Sequence, residues 1–200
     1  MQGATESEWD EYAATWDDDA AVQAYADGVV ASLVSLGEAV GLDLDGARLC
    51  DFGCGTGLLT ERLAGRCAQI DAIDTSPAML DALGTKIDRN EWRHVRPLDQ
   101  LPSTPQGYDV IVCSSVLAFV DDYAGQVTTL ARHLAAGGVF VQWDWELDPD
   151  ADDPYGLAPA EIRQTLEDAG LVEVAVGVGF EVTVDGEMMR PLMGSGRRPS

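Results

Sequence analysis

The sequence predicts an α/β fold in which a mostly parallel sheet of seven strands, with an antiparallel last strand, forms a three-layer sandwich with helices on both faces. Apolar strand-like runs alternate with helical patterns from about residue 46 to residue 170. Such alternation is typical of parallel sheets whose crossover helices cover both faces. Only Asp185-Gly186 separates the last two strand-like runs. A helical crossover cannot fit there, so these runs are expected to pair antiparallel.

The elements are predicted in chain order from the spacing of apolar residues and from turn residues. The predicted helices are residues 22–40, 58–64, 77–84, 122–135 and 159–170. The predicted strands are residues 47–52, 68–74, 92–98, 108–115, 139–145, 171–184 and 187–196. Ser76 and Pro77 suit a helix start, because serine caps the first turn and proline fits its first position.

One domain is expected over residues 1–200, with a helical lid segment in residues 1–40 and a core in residues 46–200. The first twenty residues lack the basic start and the apolar stretch of a signal peptide, which predicts a cytoplasmic location. No apolar run of about 18 residues suggests a membrane span.

The charge is strongly acidic, with 35 Asp and Glu against 12 Lys and Arg and a net charge of −23. Nucleic acid is therefore a disfavoured partner, because its phosphates are normally bound by clustered basic residues. Lys86 is the single lysine among those basic residues. This balance suits either adaptation to concentrated salt or a GC-rich genome, and the sequence leaves both open.

The cysteines and histidines do not predict a metal site or a disulfide. The four cysteines lack C-x-x-C pairing and nearby histidines at ligand spacing, which favours buried free thiols. They are Cys50, Cys54, Cys67 and Cys113. His94 lies in a weak strand and His133 in the last turn of a helix, where its charge would complement the helix dipole. Neither histidine is expected to be catalytic.

The most informative stretch is residues 49–60, LCDFGCGTGLLT. An apolar run ends at Asp51, and glycines follow at alternate positions, Gly53, Gly55 and Gly57. Glycine reaches positive φ without penalty and has no Cβ to obstruct a ligand. Because a helix then begins at about Leu58, its free amide groups point at the same place. The pattern predicts a loop that closely approaches a bound ligand.

The glycine spacing disfavours a nicotinamide cofactor. In the dinucleotide fingerprint G-x-G-x-x-G the third glycine comes one residue later, where this chain has Leu58. Asp74 ends the second strand, 21 positions after Gly53, where a carboxylate accepts hydrogen bonds from ribose hydroxyls. An acid there could instead cap the next helix, but Ser76 can serve as the cap and leave Asp74 free.

These segments resemble the class I S-adenosylmethionine-dependent methyltransferases, and most closely their small type 11 domains. DFGCGTG resembles the first motif of that family, DAIDTSPAML the second, PLDQLP the third and YDVIVCSSVLAFVDD the fourth. The later segments LARHLAAGGVFVQW, EIRQTLEDAGL and MRPLMGSGRR resemble its closing helices and strands. The resemblance covers residues 9–198 and implies a Rossmann-like fold, S-adenosylmethionine as cofactor and S-adenosylhomocysteine as product.

The resemblance also implies a set of cofactor-binding residues. Met79 or its neighbour would lie against the adenine, Asp99 would accept from the adenine amino group, and Ser114 would line the methionine end. The full set is Asp51, Gly53, Cys54, Gly55, Gly57, Asp74, Thr75, Met79, Asp99, Gln100, Leu101, Ser114 and Trp16.

Three departures from related enzymes restrict the chemistry. After the fourth strand the chain has CSSV, and so lacks the proline-rich tetrapeptide of DNA amino-methyltransferases. Cys113 is preceded by Val112, and so lacks the Pro-Cys nucleophile of pyrimidine C5 enzymes. Some small family members carry a histidine where this chain has Ala118 and Phe119, so an obvious general base is missing.

The acceptor is expected to bind among aromatic and acidic residues at the carboxyl ends of the strands and in the N-terminal segment. These residues are Trp143, Asp144, Trp145, Glu146, Tyr155, Tyr12 and Trp16. Asp144 and Tyr12 are the candidate catalytic residues. Such a group suits a small acceptor, cationic or aromatic. An equally open alternative is that the tryptophans pack the terminal segment onto the core.

The sequence therefore predicts methyl transfer to a small-molecule acceptor, at oxygen, nitrogen or carbon, by in-line displacement in a monomer or homodimer. A non-catalytic cofactor-binding regulator and, less well, a nicotinamide-linked oxidoreductase are the alternatives. Residues 7–19, SEWDEYAATWDDD, resemble the cofactor lid of the family. Trp9, Tyr12 and Trp16 would share one helix face. The lid is expected to be loosely ordered without ligand and to close on the cofactor, with Tyr12 and Trp16 facing the site.

Overall fold

The computed structural model describes residues 6–150 and 155–200, and seven strands of this part form the central sheet. The sheet strands are β1 (Arg48–Phe52), β2 (Gln69–Ile73), β3 (Val95–Leu98), β4 (Tyr108–Ser114), β5 (Leu134–Asp144), β6 (Val172–Val178) and β9 (Leu192–Arg197). β7 (Val182–Val184) and β8 (Glu187–Met189) form a separate hairpin. The sheet order is β3-β2-β1-β4-β5-β9-β6.

Strand pairing confirms the predicted mostly parallel sheet with an antiparallel last strand. β1, β2, β3, β4 and β5 pair in parallel, whereas β9 lies between β5 and β6 and runs antiparallel to both. Parallel strands of this kind end at one edge of the sheet, where ligands of open α/β folds bind.

Helices cover both faces of the sheet, which confirms the three-layer sandwich. They are α1 (Glu6–Tyr12), α2 (Ala20–Val40), α3 (Leu58–Leu63), α4 (Pro77–Asn90), α5 (Tyr123–His133) and α6 (Pro159–Asp168). On one face Val141 and Trp143 pack with Leu33 of α2. On the other face Phe140 packs with residues of α5 and α6 that include Leu130. Because the central strands are buried on both faces, their sequences are nearly continuous apolar runs.

Two helix ends differ from prediction. α4 continues through Gly84 to Asn90 and ends where Glu91 adopts φ 55°, because Ile87, beyond the glycine, still packs on the core. α5 ends at His133, and the chain enters β5 directly. Gly137, two residues beyond the predicted helix end, lies at φ 77° within the irregular start of β5.

The two C-terminal strand-like runs each divide into two strands. Asp185 and Gly186, with φ of 53° and 87°, form the predicted turn, which connects β7 to β8. The pairing within the sheet is between β6 and β9. Between β6 and β7 the chain leaves the sheet, and Phe180 packs on Gly28 of α2, where a Cβ would lie 2.4 Å from its ring. The β7–β8 hairpin is thereby held beside α2.

Among the described residues, α2 is long and apolar enough to cross a membrane by length and composition alone. The prediction that the chain has no apolar run of about 18 residues is therefore wrong for this helix. Val29 and Leu33 of this helix are fully buried in the core. Helices packed on a core in this way can satisfy the same length and composition criterion.

Candidate functional site

A cavity of about 560 Å³ lies at the carboxyl ends of the parallel strands. Its wall includes the loop after β1, the residues after β2 and β4, part of α2, and Trp9 and Trp16 from the N-terminal segment. The volume is within the usual range for small-molecule sites. The cavity is the candidate functional site.

The three glycines of the loop all have positive φ, but they differ in what an added side chain would meet. Gly53 (φ 73°) passes under Val116, whose Cγ2 would lie 2.4 Å from an added Cβ. Gly57 (φ 83°) faces Leu83 of α4, whose Cδ1 would lie 2.5 Å away. Gly55 (φ 53°) lines the cavity, and the nearest atom to an added Cβ is Met79 Sδ at 3.9 Å. Gly55 is therefore the glycine that leaves open space for a ligand.

Asp74 lines the cavity and contacts the glycine loop. Its Oδ2 accepts from the backbone N–H of Gly55 at 2.8 Å, and its Oδ1 accepts from that of Ser76 at 3.0 Å. Ser76 caps α4, as predicted, by accepting from the backbone N–H of Met79 at 3.2 Å. A carboxylate has about four acceptor positions. Asp74 can therefore still accept hydrogen bonds from a ligand.

Asp51 is buried at the base of the glycine loop and also lines the cavity. Its Oδ2 accepts from the hydroxyl of Thr60 at 2.7 Å. Burial raises the pKa of its carboxyl to about 6, although the hydrogen bond from Thr60 opposes this shift. A cationic group in the cavity would stabilise the ionised form.

Five further predicted cofactor residues also lie in the cavity wall. They are Cys54, Thr75, Met79, Ser114 and Trp16. Burial raises the pKa of the Cys54 thiol well above its ordinary value, so this group is an uncharged part of the wall rather than a nucleophile.

Four predicted cofactor residues do not line this cavity. Gly57 packs on α4 instead. Asp99 lies in an open groove beside α4, and Gln100 is exposed. Leu98 and Leu101 both pack against the hydrophobic cluster on the α5 and α6 face of the sheet. Because these leucines anchor the chain after β3, the polar residues between them face solvent.

Both candidate catalytic residues lie outside the cavity wall. Asp144 is fully buried, and its carboxylate accepts from the backbone N–H of Ala118 at 3.2 Å and from Gln142 Nε2 at 3.0 Å. Burial raises its pKa to about 7. Tyr12 is 53% exposed. Neither Asp144 nor Tyr12 therefore lines the cavity in the described structure.

The alternation of side chains along β5 explains where the acidic and aromatic residues at its end, residues 143–146, are located. Trp143 is fully buried on the α2 face and donates to the hydroxyl of Ser32 at 3.1 Å. Asp144 points to the other face, and Trp145, beyond the strand, lines the cavity. Glu146 is exposed. Of these four residues, only Trp145 lines the described cavity wall.

Several residues of the cavity wall were not predicted, including Tyr25, Phe119 and Met189. The Tyr25 hydroxyl donates to the Trp143 carbonyl at 3.5 Å, and its ring lies 5.6 Å from that of Trp145. Burial raises the pKa of Tyr25. These residues come from α2, from the turn after β4 and from the end of β8. No local motif marks them, because only the tertiary fold brings them together.

Tyr155, predicted at the acceptor mouth, lies behind Phe119, with 4.9 Å between ring centroids. Its hydroxyl is buried without a hydrogen-bond partner among the described residues. Burial raises its pKa. Tyr155 therefore supports the cavity wall through Phe119.

Comparisons with known proteins agree with this arrangement. A family model described as "Methyltransferase domain" matches residues 50–140. The chain is 36% identical over 168 residues to a "Ubiquinone biosynthesis O-methyltransferase" of Xylella fastidiosa, with 70% of this chain and 67% of that protein covered. A relative of the same name from Leptothrix cholodnii is 34% identical, with 48% of this chain covered. The chain spans only 43% of that protein.

Solved structures are similar over most of the chain. Magnesium protoporphyrin IX methyltransferase from Synechocystis, crystallised with bound S-adenosylmethionine, has a TM-score of 0.67 and 25% identity, covering 88% of this chain and 79% of that one. The N-methyltransferase NodS from Bradyrhizobium japonicum, solved with S-adenosylhomocysteine, has a TM-score of 0.67 and 21% identity, covering 100% and 95%. The chain belongs to the class I S-adenosylmethionine-dependent methyltransferases.

Proposed function

We propose that the protein transfers a methyl group from S-adenosylmethionine to a small-molecule acceptor by direct in-line displacement. The observation that carries this proposal is that one cavity joins the glycine loop to an aromatic region at the carboxyl ends of the strands. Cofactor and acceptor could therefore lie side by side.

The residues of the glycine-loop end suit the cofactor. The carboxylates of Asp51 and Asp74 complement its cationic groups and can accept from its ribose hydroxyls. The open face of Gly55 and the thioether of Met79 border space for its uncharged parts. When bound, S-adenosylmethionine supplies the activated methyl group and a good leaving group.

The aromatic end suits a flat acceptor with few charges. Trp145, Phe119 and Met189 offer apolar surface, and Tyr25 and Ser114 offer hydroxyl groups. The name of the Xylella relatives favours oxygen as the methylated atom. An acceptor such as a phenol would fit both the surface and that atom.

The protein would promote this reaction mainly by positioning the acceptor relative to the methyl group. The described cavity wall contains no histidine or lysine, and its two aspartates lie at the cofactor end. An acceptor that is readily deprotonated in solution is therefore favoured. Holding it in line with the methyl group and excluding water can lower the barrier by several kcal/mol.

A turnover screen tests the proposal. The full chain is incubated with S-adenosylmethionine and phenols, catechols, amines and carboxylic acids in separate reactions, and S-adenosylhomocysteine is quantified by mass spectrometry. We expect product with one or more aromatic hydroxyl compounds and none with a transfer-RNA pool. A protein that binds the cofactor in calorimetry but forms no product with any class would support the regulatory alternative instead.

A further inference from the structure

Two Trp-Asp pairs occur seven positions apart in the N-terminal segment, Trp9-Asp10 and Trp16-Asp17. Both tryptophans line the cavity, and their rings lie 6.0 Å apart with near-perpendicular planes. Each following aspartate contacts the core. We refer to residues 9–17 as the Trp-Asp segment.

Asp10 contacts the start of α4. Its Oδ1 accepts from the hydroxyl of Ser76 at 2.5 Å and from the backbone N–H of Ala78 at 3.3 Å. A carboxylate is favourable at this end of a helix because of the helix dipole and the free amide groups. Ser76 also donates its backbone N–H to Asp74. The first contact of the segment therefore adjoins the proposed ribose site.

Asp17 contacts the glycine loop and α4 together. Its Oδ1 accepts from the hydroxyl of Thr56 at 2.5 Å, and its Oδ2 lies 2.7 Å from Lys86 Nζ. Thr56 is buried between Gly55 and Gly57. The Lys86 side chain is only 9% exposed, and Glu61 lies 3.2 Å from the same ammonium group. Limited exposure of the lysine reduces the screening of this contact by water and salt.

From these contacts we infer that Asp10 and Asp17 are positioning residues, which latch Trp9 and Trp16 over the cavity and so control cofactor exchange. This inference rests on the proposed function, because it takes the cavity as the cofactor site. Both tryptophans form part of the cavity wall. We therefore expect the Trp-Asp segment to move when the cofactor enters or leaves. A weaker latch raises the open fraction before and after binding. Association and dissociation then both become faster.

Stopped-flow fluorescence with S-adenosylhomocysteine tests the latch in the full chain. We expect Asp17→Ala and Asp10→Ala each to raise both rate constants about three- to tenfold, with a smaller change in Kd, as expected for loss of one charge-assisted contact. Asp17→Asn keeps an acceptor for Thr56 but loses the charge beside Lys86, so intermediate rates are expected. Asp18→Ala is the matched control, because Asp18 is exposed in the same turn and its rates should equal those of the wild type.

Thermal melting of each variant verifies that it is folded. Because Asp10 and Asp17 make separate contacts, the latch can still be tested if one of the two alanine variants does not fold. Rates equal to those of the wild type in both alanine variants would overturn the latch. Faster dissociation with unchanged association would also overturn it, because that pattern indicates a direct ligand contact. If the wild type shows no binding, the proposed cofactor site fails and the inference with it.

Discussion

Individual glycines in the loop after β1 have separable roles. Gly55 and Gly57 both adopt positive φ, which costs a residue with a side chain about 1–2 kcal/mol. They differ in the space beside them, since Gly55 faces the cavity and Gly57 faces Leu83 at close range. The same substitution at the two positions therefore separates ligand binding from packing.

We expect Gly57→Ala to lower the free energy of unfolding by about 2–4 kcal/mol, from positive φ and overpacking against Leu83. Gly55→Ala should cost about 1–2 kcal/mol from φ alone but weaken S-adenosylhomocysteine binding strongly, because its methyl group enters the cavity. Urea unfolding and calorimetry measure the two effects. Equal stability losses with equal affinities would contradict the distinction.

Asp74 is expected to contribute directly to cofactor affinity. Loss of a charge-assisted hydrogen bond costs about 1.5–3 kcal/mol, so Asp74→Ala should weaken cofactor binding roughly ten- to a hundredfold. Asp99→Ala is the matched control, because Asp99 lies outside the cavity wall, and its affinity should match that of the wild type. Calorimetry with folded variants decides this. Unchanged affinity in Asp74→Ala would remove its assignment.

We expect Asp144 to affect stability rather than catalysis, because its carboxyl is fully buried outside the cavity wall. Its pKa of about 7 in the folded state is above the ordinary value of 3.8. Between these values the folded state holds a proton that the unfolded state has lost, so the contribution of this carboxyl to stability falls as the pH rises through this window. Above about pH 7 its ionisation opposes folding in full.

Asp144→Asn removes this titration. We expect stability to fall less between pH 5 and pH 8 than in the wild type, by on the order of 1–3 kcal/mol, while methyl transfer is retained. Urea unfolding at both pH values measures the slope, which separates titration from any pH-independent change in hydrogen bonding. An unchanged slope with lost activity would restore the catalytic interpretation.

At the scale of elements, the N-terminal segment forms part of the cavity wall. α1 and the following turn bring Trp9 within 5.2 Å of Phe119 and place Trp16 in the cavity wall, while Tyr12 faces outward. α2 begins at Ala20, after its cap at Asp19. The chain before that cap can thus be removed without cutting the core helix.

Deletion of residues 1–17 should abolish turnover and leave a cooperative thermal transition, because the buried residues of α2 and the sheet remain. In the full chain, backbone hydrogen exchange within residues 9–19 should slow when S-adenosylhomocysteine is added, as expected for a segment that closes over a ligand. Slow exchange that is indifferent to ligand would identify permanent core packing and contradict the lid.

For the whole molecule, the net charge of −23 predicts a response to salt. Self-repulsion destabilises a compact acidic chain, and molar salt reduces the screening length to about 3 Å. If the acidity is an adaptation to brine, the melting temperature should rise substantially from low to molar sodium chloride. A melting temperature that is flat across this range would favour the GC-rich genome. Potassium chloride serves as the control for a sodium-specific effect.

The sequence by itself was sufficient for features that depend on local geometry. Alternating strand and helix patterns predicted the parallel sheet, and Asp185-Gly186 predicted the turn of the separate β7–β8 hairpin. The glycine spacing and the position of Asp74 predicted one end of the cavity. These signals are readable because side-chain period, turn conformation and strand ends depend on neighbours within a few residues.

Only the tertiary structure decided which residues of a promising stretch reach the cavity. Asp144 and Trp145 are adjacent in sequence, yet one is enclosed in the core and the other lines the site. Tyr25 and Met189 meet there from distant elements, and Asp17 reaches Thr56 across 39 positions. Such contacts depend on how helices pack on the sheet and on which face is covered. The spacing of apolar residues within one element does not show how the helices pack on the sheet or which residues they cover. Those contacts form only when the whole chain is folded.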